Sequence, residues 1–297
     1  MTESLHFLDP AVLTGITNLE LRARTLVEGF LSGLHKSPYR GFSVEFTEYR
    51  HYYQGDDIRH VDWKLYARTD KYYIKQYEDE TNLRCHILLD SSASMGYGSG
   101  SVTKFEYART LASALAYFIN GQRDAIGLLV FDDQLRDYLP ARYRQGHLLQ
   151  VLRGLANAEL GDQTELARPI SDLAISLNRK GLVILISDLL DDEESVLKGL
   201  QHLRFKGNDV IVFHVMDHAE RTFPFERISE FEDVETKEVL TAAPQAVRKS
   251  YLQELENFCS FYRQKCQLNG IDYCLLDTSE PLDTALSNYL TKRSKSF

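Results

Sequence analysis

Residues 85–95, CHILLDSSASM, decide the fold class of this chain of 297 residues. The stretch opens with a short apolar run that stops at Asp90, and a loop rich in Ser and Gly follows it. Residues 104–121 then carry apolar side chains at helical intervals. A buried strand, a loop and a helix in this order are typical of the first unit of a parallel sheet.

The same alternation of strand and helix continues towards the C-terminus. Continuous Val, Ile and Leu runs, rather than strict alternation, are typical of strands that helices cover on both faces. We therefore predict an α/β fold with a doubly wound, mostly parallel, Rossmann-like sheet. The further strands are predicted at 125–131, 181–187, 209–215 and 271–276, and the helices at 144–156, 165–177, 193–205 and 282–290.

Two segments precede the predicted sheet. Residues 1–40 have mainly helical spacing of apolar side chains and predict an N-terminal helical segment. Residues 41–80 have a different composition. They contain the only Trp of the chain, together with many Tyr and charged residues. Alternation at 42–47 and 72–77 predicts two strands there, packed on the core.

The remaining residues, 81–297, are predicted to form the sheet domain. An insertion at about 217–268 separates its last two strands. Within the insertion, alternation predicts a small hairpin at 231–240, and helical spacing predicts a long helix at 246–268 that Asn-Gly terminates. One decorated domain fits this pattern better than two tethered domains.

Composition excludes several functional classes. A hydrophobic fraction of 43% with 26% charged residues is typical of a soluble globular protein. The formal net charge is −9 and no basic run is present, which argues against non-specific binding of nucleic acid. No apolar stretch approaches the roughly 20 residues that span a bilayer, and the N-terminus lacks the features of a secretion signal. We therefore expect a cytoplasmic protein, with its four cysteines reduced and mostly buried.

The candidate site begins at the carboxyl end of the first predicted parallel strand. Asp90, Ser92 and Ser94 form a D-x-S-x-S loop there, and open α/β sheets bind ligands outside the carboxyl ends of their strands. One carboxylate and two hydroxyls at alternate positions of a turning loop can face a common point. Such hard oxygen ligands suit Mg²⁺, although Asp and Ser also favour simple helix caps.

Two later residues could complete this site. Thr164 precedes a predicted helix, so its hydroxyl either caps that helix or reaches the cation. Asp188 directly follows another predicted strand and could hold the cation through water. The alternative for Asp188 is the acidic first turn of the next helix, because more acidic residues follow it.

The order and placement of these five residues resemble the metal-ion-dependent adhesion site of the von Willebrand factor A fold. A polar and aromatic block upstream resembles the signature of the bacterial "domain of unknown function 58" family. That block comprises Glu48-Tyr49-Arg50, Gly55-Asp56-Asp57-Ile58-Arg59, Val61-Asp62-Trp63-Lys64, Ala67-Arg68-Thr69 and Lys75-Gln76-Tyr77-Glu78.

The resemblance implies a ligand set and a role. Ser92, Ser94 and Thr164 would bind a divalent cation directly, with Asp90 and Asp188 acting directly or through water. Mg²⁺ is the expected cation, with Mn²⁺ and Ca²⁺ as alternatives. The implied function is non-enzymatic recognition of an acidic residue on a partner protein. The implied partner is a MoxR-type AAA+ ATPase or its client, in assembly or maturation of other proteins.

Two other functions stay open from the residues alone. A Mg²⁺-dependent phosphohydrolase would also place an Asp at the end of the first strand, but it normally needs a second Asp where this chain has Ser92. A metal-free scaffold is the other alternative. The signatures of nucleotide hydrolysis, dinucleotide binding and the hydrolase elbow are missing from the sequence.

The upstream block has two interpretations of its own. Its charged and aromatic side chains form either a surface that contacts a partner or a buried, salt-bridged network that packs the added strands on the sheet. We favour the structural interpretation, with the Trp as anchor. The residues concerned are Arg50, Asp56, Asp57, Arg59, Asp62, Trp63 and Arg68.

Overall fold

The computed structural model describes residues 18–35, 49–51, 66, 68, 72–75, 83–161, 165–177, 179–227, 229–232, 239–283 and 287. In chain order its helices and strands are α1 (Leu19–His35), β1 (Tyr49–His51), β2 (Tyr73–Lys75), β3 (Arg84–Asp90), α2 (Lys104–Gly121), β4 (Ala125–Phe131), β5 (Leu135–Arg142), α3 (His147–Asn157), α4 (Ala167–Ser176), β6 (Leu182–Ser187), α5 (Glu193–Phe205), β7 (Asp209–Met216), α6 (His218–Thr222), β8 (Ser229–Glu232), β9 (Val239–Ala242), α7 (Pro244–Leu268) and β10 (Asp272–Asp277).

Within the described part of the chain, six strands form the central sheet in the order β10-β7-β6-β3-β4-β5. All neighbours pair in parallel except β4 and β5, which pair antiparallel. The chain adds β4 and β5 on one side of β3 and then returns to add β6, β7 and β10 on the other. The winding therefore reverses between β3 and β6, which makes their carboxyl ends the switch point of the sheet.

Apolar side chains of the sheet alternate between two helical layers. Ile87 of β3 packs in one cluster with Leu111 of α2, whereas the next residue, Leu88, packs in another with Ile170 of α4 and Leu200 of α5. All five side chains are fully buried. Because successive strand residues point to opposite faces, helices cover the sheet on both sides. The predicted doubly wound α/β fold is confirmed.

Local capping explains where several helices begin. The Thr103 hydroxyl accepts a hydrogen bond from the Glu106 N–H at 3.2 Å and caps α2. The Asp192 carboxylate accepts one from the Ser195 N–H at 2.9 Å and caps α5. Side-chain acceptors at these positions satisfy amides that have no partner within the helix. The observed bounds of α2 and α5 are those predicted from the sequence.

Other predicted elements differ at their ends. Helix α3 begins at His147 rather than 144, directly after Gly146, whose φ of 78° lies outside the helical region. Helix α4 begins at Ala167, two residues later than predicted. The hairpin expected at 231–240 is present as the antiparallel pair β8 and β9. The strand expected at 42–47 and most of the helix expected at 282–290 lie outside the described residues.

Strand β5 was not predicted. Its sequence, LRDYLPAR, is half charged or polar and contains Pro140. At the sheet edge a proline is tolerated, because one side of the strand needs no ladder hydrogen bonds. Apolar periodicity is weak in such a strand, so its pairing with β4 is decided by tertiary contact.

The segments before the sheet are also partly described. Helix α1 docks on α2, where Arg22 donates a hydrogen bond to the Thr110 hydroxyl at 3.0 Å. Strands β1 and β2 pair antiparallel, with Arg50 opposite Ile74. The four cysteines are buried, as predicted, and none of them forms a disulfide. Within the described residues, no helix combines the length and apolar character that crossing a membrane requires.

Candidate metal centre

Four of the five predicted ligands lie together at the switch point. Asp90 is the last residue of β3, Ser92 and Ser94 follow it, and Asp188 comes directly after β6. Their side chains are buried: Asp90 and Ser92 are 0% exposed, Asp188 is 2% and Ser94 is 8%. Thr164, the fifth predicted ligand, lies outside the described residues.

Hydrogen bonds orient the side chains of the loop. Asp90 accepts from the Ser92 N–H through Oδ1 at 2.9 Å and from the Ser187 hydroxyl through Oδ2 at 2.5 Å. The hydroxyl oxygens of Ser92 and Ser94 are 3.1 Å apart. By contrast, the hydroxyl of Ser91 points away and donates to the Phe131 carbonyl at 2.9 Å. One carboxylate and two hydroxyls therefore converge, as the D-x-S-x-S spacing predicts.

A strained turn holds the second carboxylate. Leu189, directly after Asp188, has a φ of 60°, which is uncommon for a residue with a branched side chain. The Ser187 hydroxyl accepts from the Leu189 N–H at 2.9 Å, and Asp188 Oδ1 accepts from the Leu190 N–H at 3.3 Å. Backbone strain of this kind persists where surrounding contacts impose it, and it is found preferentially at functional sites.

The electrostatics of the loop favour a cation. Burial, and after it the neighbouring charge of Asp188, raises the pKa of Asp90 to about 7, although hydrogen bonds from Ser187 and Ser92 oppose the shift. The negative charge of Asp90 is therefore poorly compensated by the protein. A divalent cation beside the Ser92 and Ser94 hydroxyls would compensate it, so these residues fit such an ion.

Lys104 is a residue of the site that sequence reasoning missed. Its ammonium lies 2.8 Å from Asp188 Oδ2 and 2.7 Å from Glu220 Oε1, and the side chain is 1% exposed. Burial lowers the pKa of Lys104, but the two carboxylates outweigh burial and raise it. One signal was available: a lysine in the first turn of a helix opposes the helix dipole and needs a compensating partner.

A glycine brings a further segment against the loop. The Gly161 N–H donates to the Ser91 carbonyl at 2.7 Å. A Cβ at Gly161 would lie 1.8 Å from Asp132 Oδ2, so only glycine fits without movement. Asp132 is in turn held by the Arg136 guanidinium, with Nε to Oδ1 at 2.8 Å. This arrangement fixes the chain three residues before Thr164.

Serine hydroxyls form a large part of the candidate ligand set. Among the residues that the structure describes, no three or more His, Cys, Asp or Glu side chains are grouped so as to hold a metal ion. A cation here would depend on the serine hydroxyls together with Asp90. Oxygen ligands of this kind suit Mg²⁺ and similar hard cations.

Only a few residues of the upstream block lie within the described part of the chain. Arg50 lies in β1 and Arg68 is exposed at a helical position. The rings of Tyr66 and Tyr72 stack with centroids 4.5 Å apart. The other signature residues, Asp56, Asp57, Arg59, Asp62 and Trp63, lie outside the described residues, so both interpretations of the block stay open.

The curated proteins that resemble this chain are described as uncharacterized. The uncharacterized protein Rv1480 of Mycobacterium tuberculosis is 30% identical over 185 residues, which cover 61% of this chain and 58% of the relative. The uncharacterized protein Mb1516 of Mycobacterium bovis matches to the same extent. The chain therefore spans less than two thirds of the length of these curated relatives.

Solved structures with similar folds are distant in sequence. The conserved hypothetical protein BatB from Bacteroides thetaiotaomicron aligns with a TM-score of 0.49 and 20% identity, over 72% of this chain and 99% of that one. The VWA domain of SpRpn10 aligns with a TM-score of 0.41 and 15% identity, over 70% and 94%. The model of the family described as "Protein of unknown function DUF58" matches residues 48–257. This chain belongs to the DUF58 family, as its upstream block predicted.

Proposed function

We propose that this protein is a non-enzymatic, metal-dependent protein-interaction module. One observation carries the proposal: a fully buried carboxylate, Asp90, lies with the hydroxyls of Ser92 and Ser94 at the switch point of the sheet. Thr164 is proposed as a further direct ligand, and Asp188 as a ligand directly or through water. Mg²⁺ is the proposed cation, with Mn²⁺ and Ca²⁺ as alternatives.

The proposed partner presents an acidic residue. Neutral hydroxyl ligands leave a bound divalent cation electrophilic, so a carboxylate from another protein is a favourable additional ligand. Asp90 and the two serines would hold the cation at the carboxyl ends of the strands.

Membership of the family supports a MoxR-type AAA+ ATPase, or a client of one, as the partner. The protein would act with it in assembly or maturation of other proteins. A cytoplasmic location belongs to the same proposal, because such a partner depends on ATP.

Two observations favour binding over phosphoryl transfer. Position 92 is Ser, where a phosphohydrolase of this type would need a second Asp. The one lysine described at the site, Lys104, is already bound by Asp188 and Glu220 and so is not available to a phosphate group. Release of phosphate from p-nitrophenyl phosphate with Mg²⁺, lost in Asp90→Ala, would reverse this preference.

Titration calorimetry with Mg²⁺, Mn²⁺ and Ca²⁺ tests the proposal. Asp90→Ala and Ser92→Ala should each abolish cation binding while circular dichroism shows an intact fold. Ser91→Ala is the matched control, because that buried hydroxyl donates to the Phe131 carbonyl and faces away from the site. Unchanged cation binding in both Asp90→Ala and Ser92→Ala would overturn the metal site.

Partner binding is tested separately. A purified MoxR-type ATPase should bind the wild-type protein with Mg²⁺, dissociate on addition of EDTA, and bind again when Mg²⁺ is restored. Asp90→Ala should not bind it. Binding that survives both EDTA and Asp90→Ala would show that the interaction does not depend on a cation.

A further inference from the structure

Lys104 is held rigidly beside the candidate cation position. Its ammonium is fixed from two other elements: Asp188 at the end of β6 and Glu220 in α6. Glu220 is itself positioned by the Asp217 N–H, which donates to Oε2 at 2.8 Å. Asp217 also accepts from the Ser99 N–H, at 3.0 Å, in the loop before α2. The ammonium is therefore a permanent internal charge and not a mobile surface side chain.

Asp188 thus has two possible cationic partners. One carboxylate oxygen already pairs with Lys104. Asp188 is also close enough to Asp90 for its charge to raise the pKa of that residue. A divalent cation at Asp90, Ser92 and Ser94 would be attracted to the same carboxylate that the ammonium neutralises, and it would be repelled by the ammonium itself. Both effects are strong where the groups are buried, since water screens them little.

We propose that Lys104 sets the balance between cation binding and partner binding at this site. By neutralising Asp188, the ammonium weakens the affinity of the free protein for the cation. It also leaves a bound cation with more uncompensated positive charge, so that a carboxylate from the partner is bound more strongly. Cation and partner then bind cooperatively, each depending on the other. This inference rests on the proposed function and adds a regulatory residue to it.

Lys104→Met tests the inference because it predicts two effects of opposite sign. Titration calorimetry should show Mn²⁺ binding at least about tenfold tighter than in the wild type, because Asp188 is released to the cation. Acetate serves as the carboxylate probe. Saturating sodium acetate, compared with sodium chloride at equal ionic strength, should raise the apparent Mn²⁺ affinity of the wild type more than that of the variant. A variant that is only structurally disturbed would bind Mn²⁺ more weakly and would also show a smaller effect of acetate.

A second variant serves if Lys104→Met does not fold. In Glu220→Gln the ammonium loses one of its two carboxylates and acts more fully on Asp188, so Mn²⁺ binding should weaken by several-fold. Glutamine can still accept from the Asp217 N–H, and the capping box of α6 is preserved. The matched control is Lys206→Met, an exposed lysine between α5 and the amino end of β7, which should leave Mn²⁺ affinity unchanged.

The outcomes separate the two proposals. Absence of Mn²⁺ binding to the wild type would overturn the proposed metal site. Wild-type binding with unchanged or weaker affinity in folded Lys104→Met would overturn only the role of Lys104. The same holds if Glu220→Gln tightens Mn²⁺ binding, or if acetate affects the wild type and Lys104→Met equally.

Discussion

The Ser187 hydroxyl donates a hydrogen bond to Asp90 Oδ2 at 2.5 Å and so joins the carboxyl ends of β3 and β6. These are the strands between which the winding of the sheet reverses. The hydrogen bond stabilises the ionised carboxylate, but burial and the charge of Asp188 outweigh it. Asp90 therefore enters the folded structure at a cost in the absence of a cation.

The first prediction concerns pH. In the unfolded chain Asp90 has its ordinary pKa of about 4. In the folded protein its pKa is raised to about 7. The folded state thus binds more protons across this window, and the contribution of Asp90 to stability is present at low pH and lost as pH rises towards 7. In EDTA, Asp90→Asn should gain stability relative to the wild type by about 2 kcal/mol between pH 5 and pH 8.

Urea denaturation of both proteins across that pH range measures this difference. Subtracting the two free energies of unfolding removes the titration of all other groups. A difference that stays constant from pH 5 to pH 8 would contradict the raised pKa of Asp90.

The second prediction concerns the buried ion pair of Lys104. Removing one partner of such a pair leaves the other charge uncompensated, so Lys104→Met should lower the free energy of unfolding by about 3–5 kcal/mol. Glu220→Gln should cost less, because Glu220 is 20% exposed and Asp188 keeps its ammonium. Chemical denaturation at pH 7 without divalent cations measures both. Equal losses in the two variants would show that Asp188 is not the principal partner.

The third prediction concerns Gly161. An alanine there would place its Cβ 1.8 Å from Asp132 Oδ2, so either the loop or the Asp132 side chain must move. Gly161→Ala should lower the free energy of unfolding by about 1–3 kcal/mol, and it should weaken Mn²⁺ binding because the Gly161 N–H no longer holds the Ser91 carbonyl. Gly100→Ala is the control, since its Cβ would have no neighbour within 4 Å. Thermal unfolding and calorimetry give the two readouts, and equal behaviour of the variants would refute the prediction.

The fourth prediction concerns the docking of α1. Arg22 is 5% exposed, and it pairs with Glu106 at 3.3 Å and with the Thr110 hydroxyl at 3.0 Å. Arg22→Ala leaves these α2 groups without that donor, so hydrogen exchange of the α1 amides should accelerate. Arg24→Ala removes an exposed pair with Glu28 and should leave exchange unchanged. If both variants exchange alike, Arg22 does not hold the helix.

Much of the fold follows from patterns that act over a few residues. Helical spacing and a side-chain cap define 104–121 and 193–205, and both helices have the predicted bounds. The D-x-S-x-S loop could be located because an apolar strand ends at Asp90 and a loop necessarily follows. Local periodicity could not reveal β5, since a half-polar edge strand gains its stability from pairing with β4.

By itself, then, the sequence determined the doubly wound sheet, the position of Asp90, Ser92, Ser94 and Asp188 at strand ends, and the family. Only the tertiary structure decided the electrostatics of the site. In sequence, Lys104 is 84 residues from Asp188 and 116 residues from Glu220. A pattern that extends over a few residues cannot predict contacts between residues so far apart. Burial and charge proximity depend on the packed chain as a whole, which is why the raised pKa of Asp90 and the neutralisation of Asp188 emerge only in three dimensions.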